Sequence, residues 1–252
     1  MISRLRYKDT SLEWDGIAKE RHIQIISGLD LSYHKVLIPT ILEMLGGVRG
    51  LRILDVGCGS GVFSSKLATL GAAAVVGVDS SRQMIHIANQ EYGGDSRIRF
   101  HHESIESFSN NYNGRRFDAC VSNMSLVTMP NLEAVAEAVA AMLIPNGQFA
   151  FTITHPCFWN RYKKYESVSS FDYMREHAQH GRFTISLDKT SKHETTHFHR
   201  PLSQYVNTLG QSSLLMKEIW EPMPSFKVMK MYPHAWLFPR FLAAKALYVP
   251  GK

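Results

Sequence analysis

The sequence predicts a doubly wound α/β fold on a mostly parallel sheet, and three observations carry that expectation. Short apolar runs suited to buried strands alternate with helix-period segments between Arg52 and Thr154. A glycine cluster, Gly57-Cys-Gly-Ser-Gly61, sits where the first of these strands turns into a helix. The 252 residues are 44% hydrophobic and 20% charged, which suits one globular domain with a sizeable core.

In chain order, a helix-period stretch from Tyr33 to Leu45 is stopped by Gly46-Gly47. Arg52 to Val56 is short, apolar and ended by glycines, a buried strand. Ser60 to Leu70 reads as a helix closed by Gly71, and Ala74 to Asp79 as the second strand. Ser80 to Glu91 is the next helix, with Ser80 or Ser81 as its cap. Ile98 to His102 and Phe117 to Asn123 are the third and fourth strands, followed by an Ala- and Val-rich helix from Leu132 to Leu143. Pro145-Asn-Gly147 reads as a turn before a fifth strand, Gln148 to Thr154.

After His155 the rhythm breaks. Residues 156–200 are aromatic, polar and His-rich without a sustained helical period, and a stretch this long between sheet elements is usually functional. It is expected to be a lid over the active site. Regular structure returns with a helix from Leu202 to Leu209, a strand near Leu214 to Trp220 and an apolar end from Phe241 to Val249. The chain is thus expected to form a single domain over 1–252. Within it, 1–50 is an N-terminal helical cap, 51–155 the core, 156–200 the lid insertion and 201–252 the completion of the sheet.

A formal charge of +6 raises the question of nucleic acid, but basic residues are mixed with acids almost everywhere, so a solvated surface is expected. Three cysteines without a C-x-x-C pair exclude a disulfide framework or zinc ribbon, and Cys58 and Cys120 sit in apolar segments as small hydrophobes. Arg4, Arg6, Lys8 and Asp9 are not followed by an apolar core, so no secretory signal is read there. No stretch approaches the roughly 20 apolar residues of a membrane span. A cytoplasmic protein is the expectation, with no membrane partner and a homodimer left open.

The loop Asp55-Val-Gly-Cys-Gly-Ser-Gly61 carries the functional argument. Its glycines admit close backbone approach, and the following helix offers free N–H donors. Their G-x-G-x-G spacing differs from the dinucleotide fingerprint, and no Lys-Ser or Lys-Thr follows to make a phosphate loop. Asp55 would repel a diphosphate but suits a cationic α-amino group. Asp79, at the end of the next strand, suits the two hydroxyls of a ribose, or simply caps the helix that follows.

These residues resemble the first motif, Ile53-Leu-Asp-Val-Gly-Cys-Gly-Ser-Gly61, of class I S-adenosylmethionine-dependent methyltransferases, which have a Rossmann-like, seven-stranded sheet. The resemblance covers about Arg52 to Thr154. It implies that Asp55, Gly57, Gly59 and Gly61 belong to the S-adenosylmethionine loop, with Asp55 and Gly57 at the methionine end. It places Asp79, beside Ser80, on the ribose and Met84 against adenine. Many relatives carry Gly-Asp-Ala after the third strand, with its acid on the adenine amino group. Here Glu103-Ser104-Ile105 stands in that register, so Ser104 and the Ile105 backbone replace the acid, or a one-residue slip brings Glu103 there.

Asn123, ending the fourth strand, either orients the cofactor's amino-acid part or a substrate amine, or makes a turn. His155 ends the fifth strand, where an imidazole could take a proton from a nucleophile or fix the lid. Asn123 and His155 are therefore the catalytic candidates. Thr154-His-Pro-Cys-Phe-Trp159 and His199-Arg-Pro-Leu202 are similar to segments of a bacterial branch of the family directed at small metabolites. No Asn/Asp-Pro-Pro-Tyr follows the fourth strand, where Asn123-Met-Ser-Leu126 stands instead. His193, His197 and His199 complete no known zinc spacing, so no metal is expected. Tyr162, Tyr165, Phe171, Tyr173 and Phe183 give the lid an aromatic interior, part core and part pocket.

The expected activity is methyl transfer from S-adenosylmethionine to oxygen, nitrogen or carbon of a small molecule. Two other readings stay open. The same site could close a ring within the cofactor and release methylthioadenosine, or the basic surface could serve an RNA-binding or RNA-modifying protein.

Overall fold

The computed structural model describes residues 10–164 and 171–251. Arg4, Arg6, Lys8 and Asp9 at the N-terminus, and Tyr165 of the aromatic set, lie outside the described residues. Strands β1 (Arg52–Val56), β2 (Ala74–Asp79), β3 (Ile98–His102), β4 (Phe117–Asn123) and β5 (Leu143–Thr154) pair in parallel. Two more, β8 (Leu214–Trp220) and β9 (Phe241–Tyr248), finish a seven-stranded sheet in the order β3-β2-β1-β4-β5-β9-β8. Strand β9 runs antiparallel to both neighbours, so the sheet is mixed.

The alternation of Ile53 and Leu54 explains both helical layers, because successive side chains of a strand point to opposite faces. Ile53, Val75, Ala119 and Ala150 face one layer, containing α2 (Ile38–Leu45) and α3 (Val62–Thr69). Leu54, Val76, Cys120, Phe149 and Phe151 face the other, containing α5 (Ile105–Asn111), α6 (Leu132–Met142) and α8 (Leu202–Gln211). Strand order reverses between β1 and β4, and the crevice outside their carboxyl ends is where open sheets bind ligands.

Local details refine the sequence reading, and two of them differ from it. The segment Pro145-Asn-Gly147 is a bulge within β5 rather than a turn before it: Asn146 takes a positive φ of 63°, and the pairing to β4 shifts register between Phe117 and Ala119. Of the two caps the sequence offered for α4 (Arg82–Tyr92), Ser81 is the one used, its Oγ accepting the Met84 N–H at 3.2 Å. The N-terminal cap contains α1 (Ser11–Ile26), which sequence periodicity did not resolve, followed by a π-helical turn, Tyr33–Leu37.

The insertion after β5 has its own order. A short helix, α7 (Trp159–Lys163), is followed by a two-stranded antiparallel sheet of β6 (His177–Arg182) and β7 (Glu194–His199). Buried Arg200 fastens its end, donating to the carbonyls of Leu126, Met129 and Pro130 and pairing with Glu176 at 3.0 Å. His199 accepts from Asn160 Nδ2 at 3.1 Å and holds the Tyr173 carbonyl at 2.9 Å. The His-Arg-Pro-Leu segment is thus a clasp between the insertion and the core.

Candidate functional site

A cavity of about 530 Å³ lies above the carboxyl ends of β1, β2, β4 and β5, within the size range of small-molecule sites. Its floor is the glycine loop. Gly57, Cys58 and Gly59 line it, and all three glycines of the loop have positive φ (70°, 53° and 80° for Gly57, Gly59 and Gly61). A Cβ on Gly57 would overlap Cβ and Oγ of Ser125. Ser125 cannot step aside, because its Oγ bonds the Val56 carbonyl at 3.0 Å and Ser122 Oγ at 3.1 Å. Gly57→Ala combines a left-handed backbone with this overlap, and is expected to lower unfolding stability by about 2–5 kcal/mol. Urea denaturation checks it; a loss below about 0.5 kcal/mol would mean the loop is not braced by Ser125.

Gly61 has a different place from the one expected. It lies outside the cavity wall, where a Cβ would come 2.6 Å from Phe100 Cζ, so its small size serves packing of α3 against β3.

Two buried acids stand over the loop. Asp55 is 1% exposed and accepts from Ser64 Oγ at 2.6 Å, leaving one oxygen uncommitted among the described residues. Burial, and then the neighbouring negative charge of Asp79, push its carboxyl up to about 7, against the lowering effect of Ser64. Asp79 accepts the Gly59 N–H at 2.9 Å and the Ser81 N–H at 2.8 Å, one on each oxygen. Its carboxyl is also raised, by burial first, against those two hydrogen bonds. The acid therefore braces the glycine loop and the start of α4 together, and each oxygen keeps a second lone pair.

Along the same side, Ser80, Met84, Glu103, Ser104 and Ile105 line the cavity. Ser104 caps α5 by accepting the Ser107 N–H at 3.2 Å, which leaves the Ile105 N–H as an unbonded first-turn donor of the helix. Asn123 lines the cavity from the end of β4, its Oδ1 accepting from Thr152 Oγ1 at 2.8 Å. That contact turns the carbonyl end of the amide to β5.

His155, the other catalytic candidate, is not in the cavity wall. Its Nδ1 accepts the Cys157 N–H at 3.1 Å and its Nε2 meets Glu221 at 2.7 Å, with the ring 2% exposed. Both nitrogens are engaged, so the imidazole has no lone pair for a substrate proton. It locks the start of the insertion instead.

Sequence reading missed helix α1 and with it one wall. Trp14, Arg21 and Ile25 line the cavity from this helix, which is pinned over the loop by His22 Nδ1 to Ser60 Oγ at 3.0 Å and by Ser81 Oγ donating to Asp15 at 2.6 Å. Arg21 pairs with Asp30 at 2.7 Å, yet its Nη1 is buried without a hydrogen-bond partner among the described residues. A buried donor left unmade is costly, so this atom is set up for an acceptor that a ligand would bring. The insertion packs against α1, with Phe183 edge-on to Trp14 at 5.7 Å, and continues the wall through Trp159, Tyr162, Lys163 and His197. His197 touches Thr154 Oγ1 at 3.1 Å, and burial drives its pKa down to about 3, so it is a neutral ring at physiological pH.

Comparison with known proteins agrees with this geometry. Residues 53–147 match the model of a methyltransferase domain family. The chain is 28% identical over 140 residues to the ubiquinone biosynthesis O-methyltransferase of Aromatoleum aromaticum, covering 55% of this chain and 56% of that enzyme. It thus spans little more than half the length of that relative. It is 26% identical over 207 residues to the enzyme of the same name from Photorhabdus laumondii, covering 82% and 77% of the two chains. Among solved structures, an S-adenosylmethionine dependent methyltransferase from Mesorhizobium loti superposes with a TM-score of 0.61 at 22% identity, over 83% of this chain and 96% of that one. Magnesium protoporphyrin IX methyltransferase from Synechocystis, with bound S-adenosylhomocysteine, has the same TM-score of 0.61 at 16% identity, over 95% and 99%.

Proposed function

From a chain that carries a methyltransferase domain of the class I S-adenosylmethionine-dependent type, we propose that the protein transfers a methyl group from S-adenosylmethionine to a small molecule held in the same cavity. The observation that carries this reading is the lining of one cavity: the glycine loop with the acids Asp55 and Asp79, together with the aromatic side chains Trp159, Tyr162 and Phe241. The loop and its surroundings fit the cofactor residue by residue. Asp55 offers a carboxylate to the α-ammonium, Arg21 Nη1 an unused donor to the α-carboxylate, and Asp79 two lone pairs to the ribose hydroxyls. Met84 and Ile105 supply apolar surface and the Ile105 N–H a donor for adenine.

When bound, the cofactor supplies a methyl group already activated on a sulfonium. The chain's work is then alignment and exclusion of water, which can account for much of a transfer rate. Asn123 reaches the cavity where β4 ends, and its Nδ2 hydrogens are suited to orient the acceptor or the amino-acid end of the cofactor. The insertion (α7 with the β6–β7 sheet) closes the side away from the glycine loop and acts as the lid. A concave cavity of this size with aromatic lining favours a metabolite over an RNA chain.

The test is incubation with methyl-labelled S-adenosylmethionine and a metabolite pool, with analysis of the cofactor product. S-adenosylhomocysteine together with a labelled metabolite is expected. Methylthioadenosine as the product would replace methyl transfer by cleavage within the cofactor, and label on RNA alone would move the acceptor to nucleic acid.

A further inference from the structure

Besides the exposed Arg182, the cavity is lined by two cations, Arg240 and Lys163, that the cofactor reading does not use. Arg240, just before β9, lines the cavity and is 8% exposed. Its guanidinium lies 4.1 Å from the centre of the Tyr162 ring and 4.5 Å from that of Trp236, stacked between the two. Such a sandwich fixes the plane of the fork and shields it from water. Lys163, on α7, also lines the cavity, with Nζ 5.3 Å from the Trp159 ring centre and donating to Thr184 Oγ1 at 3.1 Å. Neither cation has a carboxylate within ion-pair distance among the described residues.

The contrast with the rest of the cavity is sharp. Arg21 is paired with Asp30, and the lining acids Asp55 and Asp79 stand at the glycine loop. Burial is the larger cause, and the nearby Lys189 the lesser, of a Lys163 pKa lowered to about 8, while Arg240 is likewise lowered by burial. Arg240 is buried and Lys163 half-buried, and cations withdrawn from water without counter-charge are costly, the usual remedy being an anion. Around them stand Trp159, Tyr162 and Phe241, flat surfaces that take a planar body.

Resting on the methyltransferase reading for the rest of the cavity, we propose that Arg240 and Lys163 form the anion-binding end of the acceptor subsite, and that the acceptor is an aromatic carboxylate. The carboxylate meets the Arg240 fork, Lys163 adds its charge, and the ring lies against the aromatic wall. This arrangement leaves the opposite edge of the acceptor directed towards the glycine loop.

The test uses calorimetry on the whole chain with benzoate, cinnamate and 2-naphthoate, each beside its neutral amide, with and without saturating S-adenosylhomocysteine. At least one acid is expected to bind tenfold or more tightly than its amide. Arg240→Gln is expected to remove that preference by about 10- to 100-fold while leaving S-adenosylhomocysteine affinity unchanged. Lys163→Gln, on a separate element, should reduce the same preference and keeps the test open if Arg240→Gln fails to fold. No preference for acid over amide in any pair overturns the proposal. So does a loss of S-adenosylhomocysteine affinity in Arg240→Gln with acid binding intact, which would put Arg240 on the cofactor's carboxylate. Failure of S-adenosylhomocysteine itself to bind the wild-type protein would instead defeat the methyltransferase reading, and acid-over-amide binding would still be measurable.

Discussion

Asp79→Ala is expected to weaken S-adenosylhomocysteine binding by at least about 100-fold. Two charge-assisted hydrogen bonds to a ribose are worth about 1.5–3 kcal/mol each, and each 1.4 kcal/mol is a factor of ten. The loss does not stop at the ligand. Asp79 also accepts the N–H groups of Gly59 and Ser81, so the alanine leaves both donors unmet and loosens the glycine loop proposed to hold the methionine end. Asp79→Asn is the sharper experiment. It keeps the shape of the side chain but turns an amide N–H towards Gly59 or Ser81, donor against donor, and supplies one acceptor oxygen where two are used. Both variants should weaken the ligand with the apolar core untouched. Calorimetry on each, beside a thermal melt, separates binding from folding, and wild-type affinity in either would place the ribose elsewhere.

The sheet was legible because it is buried on both faces. Apolar runs such as Ala74–Asp79 have one explanation at that length between glycines, and the expected strands match those observed to within a few residues apart from β5. The conformation of the loop was legible for a physical reason: three left-handed residues in one strand-to-helix turn demand glycines. Helix α1 was hidden because its inward face is not apolar. Positions 14, 17, 18, 21 and 25 have helical spacing, but Trp14 and Arg21 face the cavity rather than a core, so the hydrophobic pattern is broken by the function itself. A search for helical spacing of cavity-facing types, rather than of apolar ones, would have found them. His155 illustrates the reverse error. Its place at a strand end suggested chemistry, whereas its partners Cys157 and Glu221 come from short- and long-range packing that no motif records. Arg240 was invisible for the same reason: the two rings that hold it lie 78 positions before and 4 positions before it in sequence, by subtraction (240 − 162 and 240 − 236).

Cofactor binding is expected to depend on pH through Asp55, and in a direction that its environment fixes. Burial holds this carboxyl at about 7 instead of 3.8, so below neutrality most ligand-free molecules carry it as a neutral acid. A ligand ammonium binds the ionised form. Binding at low pH must therefore first remove a proton, and affinity falls as pH drops. The expected slope is about tenfold per pH unit between about pH 5 and about pH 7, flattening above, where the carboxylate is already charged. Asp55→Asn removes the titrating group, so the slope should vanish, and the affinity above pH 7 should fall about 30-fold or more because an ammonium loses its buried counter-charge. Ser64 Oγ can still donate to the Asn carbonyl, which keeps the side chain in place and makes the variant a fair comparison. Asp79 sharpens the test, since its negative charge contributes to the high value at Asp55. In Asp79→Ala the pH profile should therefore move to lower pH even though the affinity is poorer throughout. Flat wild-type affinity across this range, measured by calorimetry at constant ionic strength, would remove Asp55 from the ammonium.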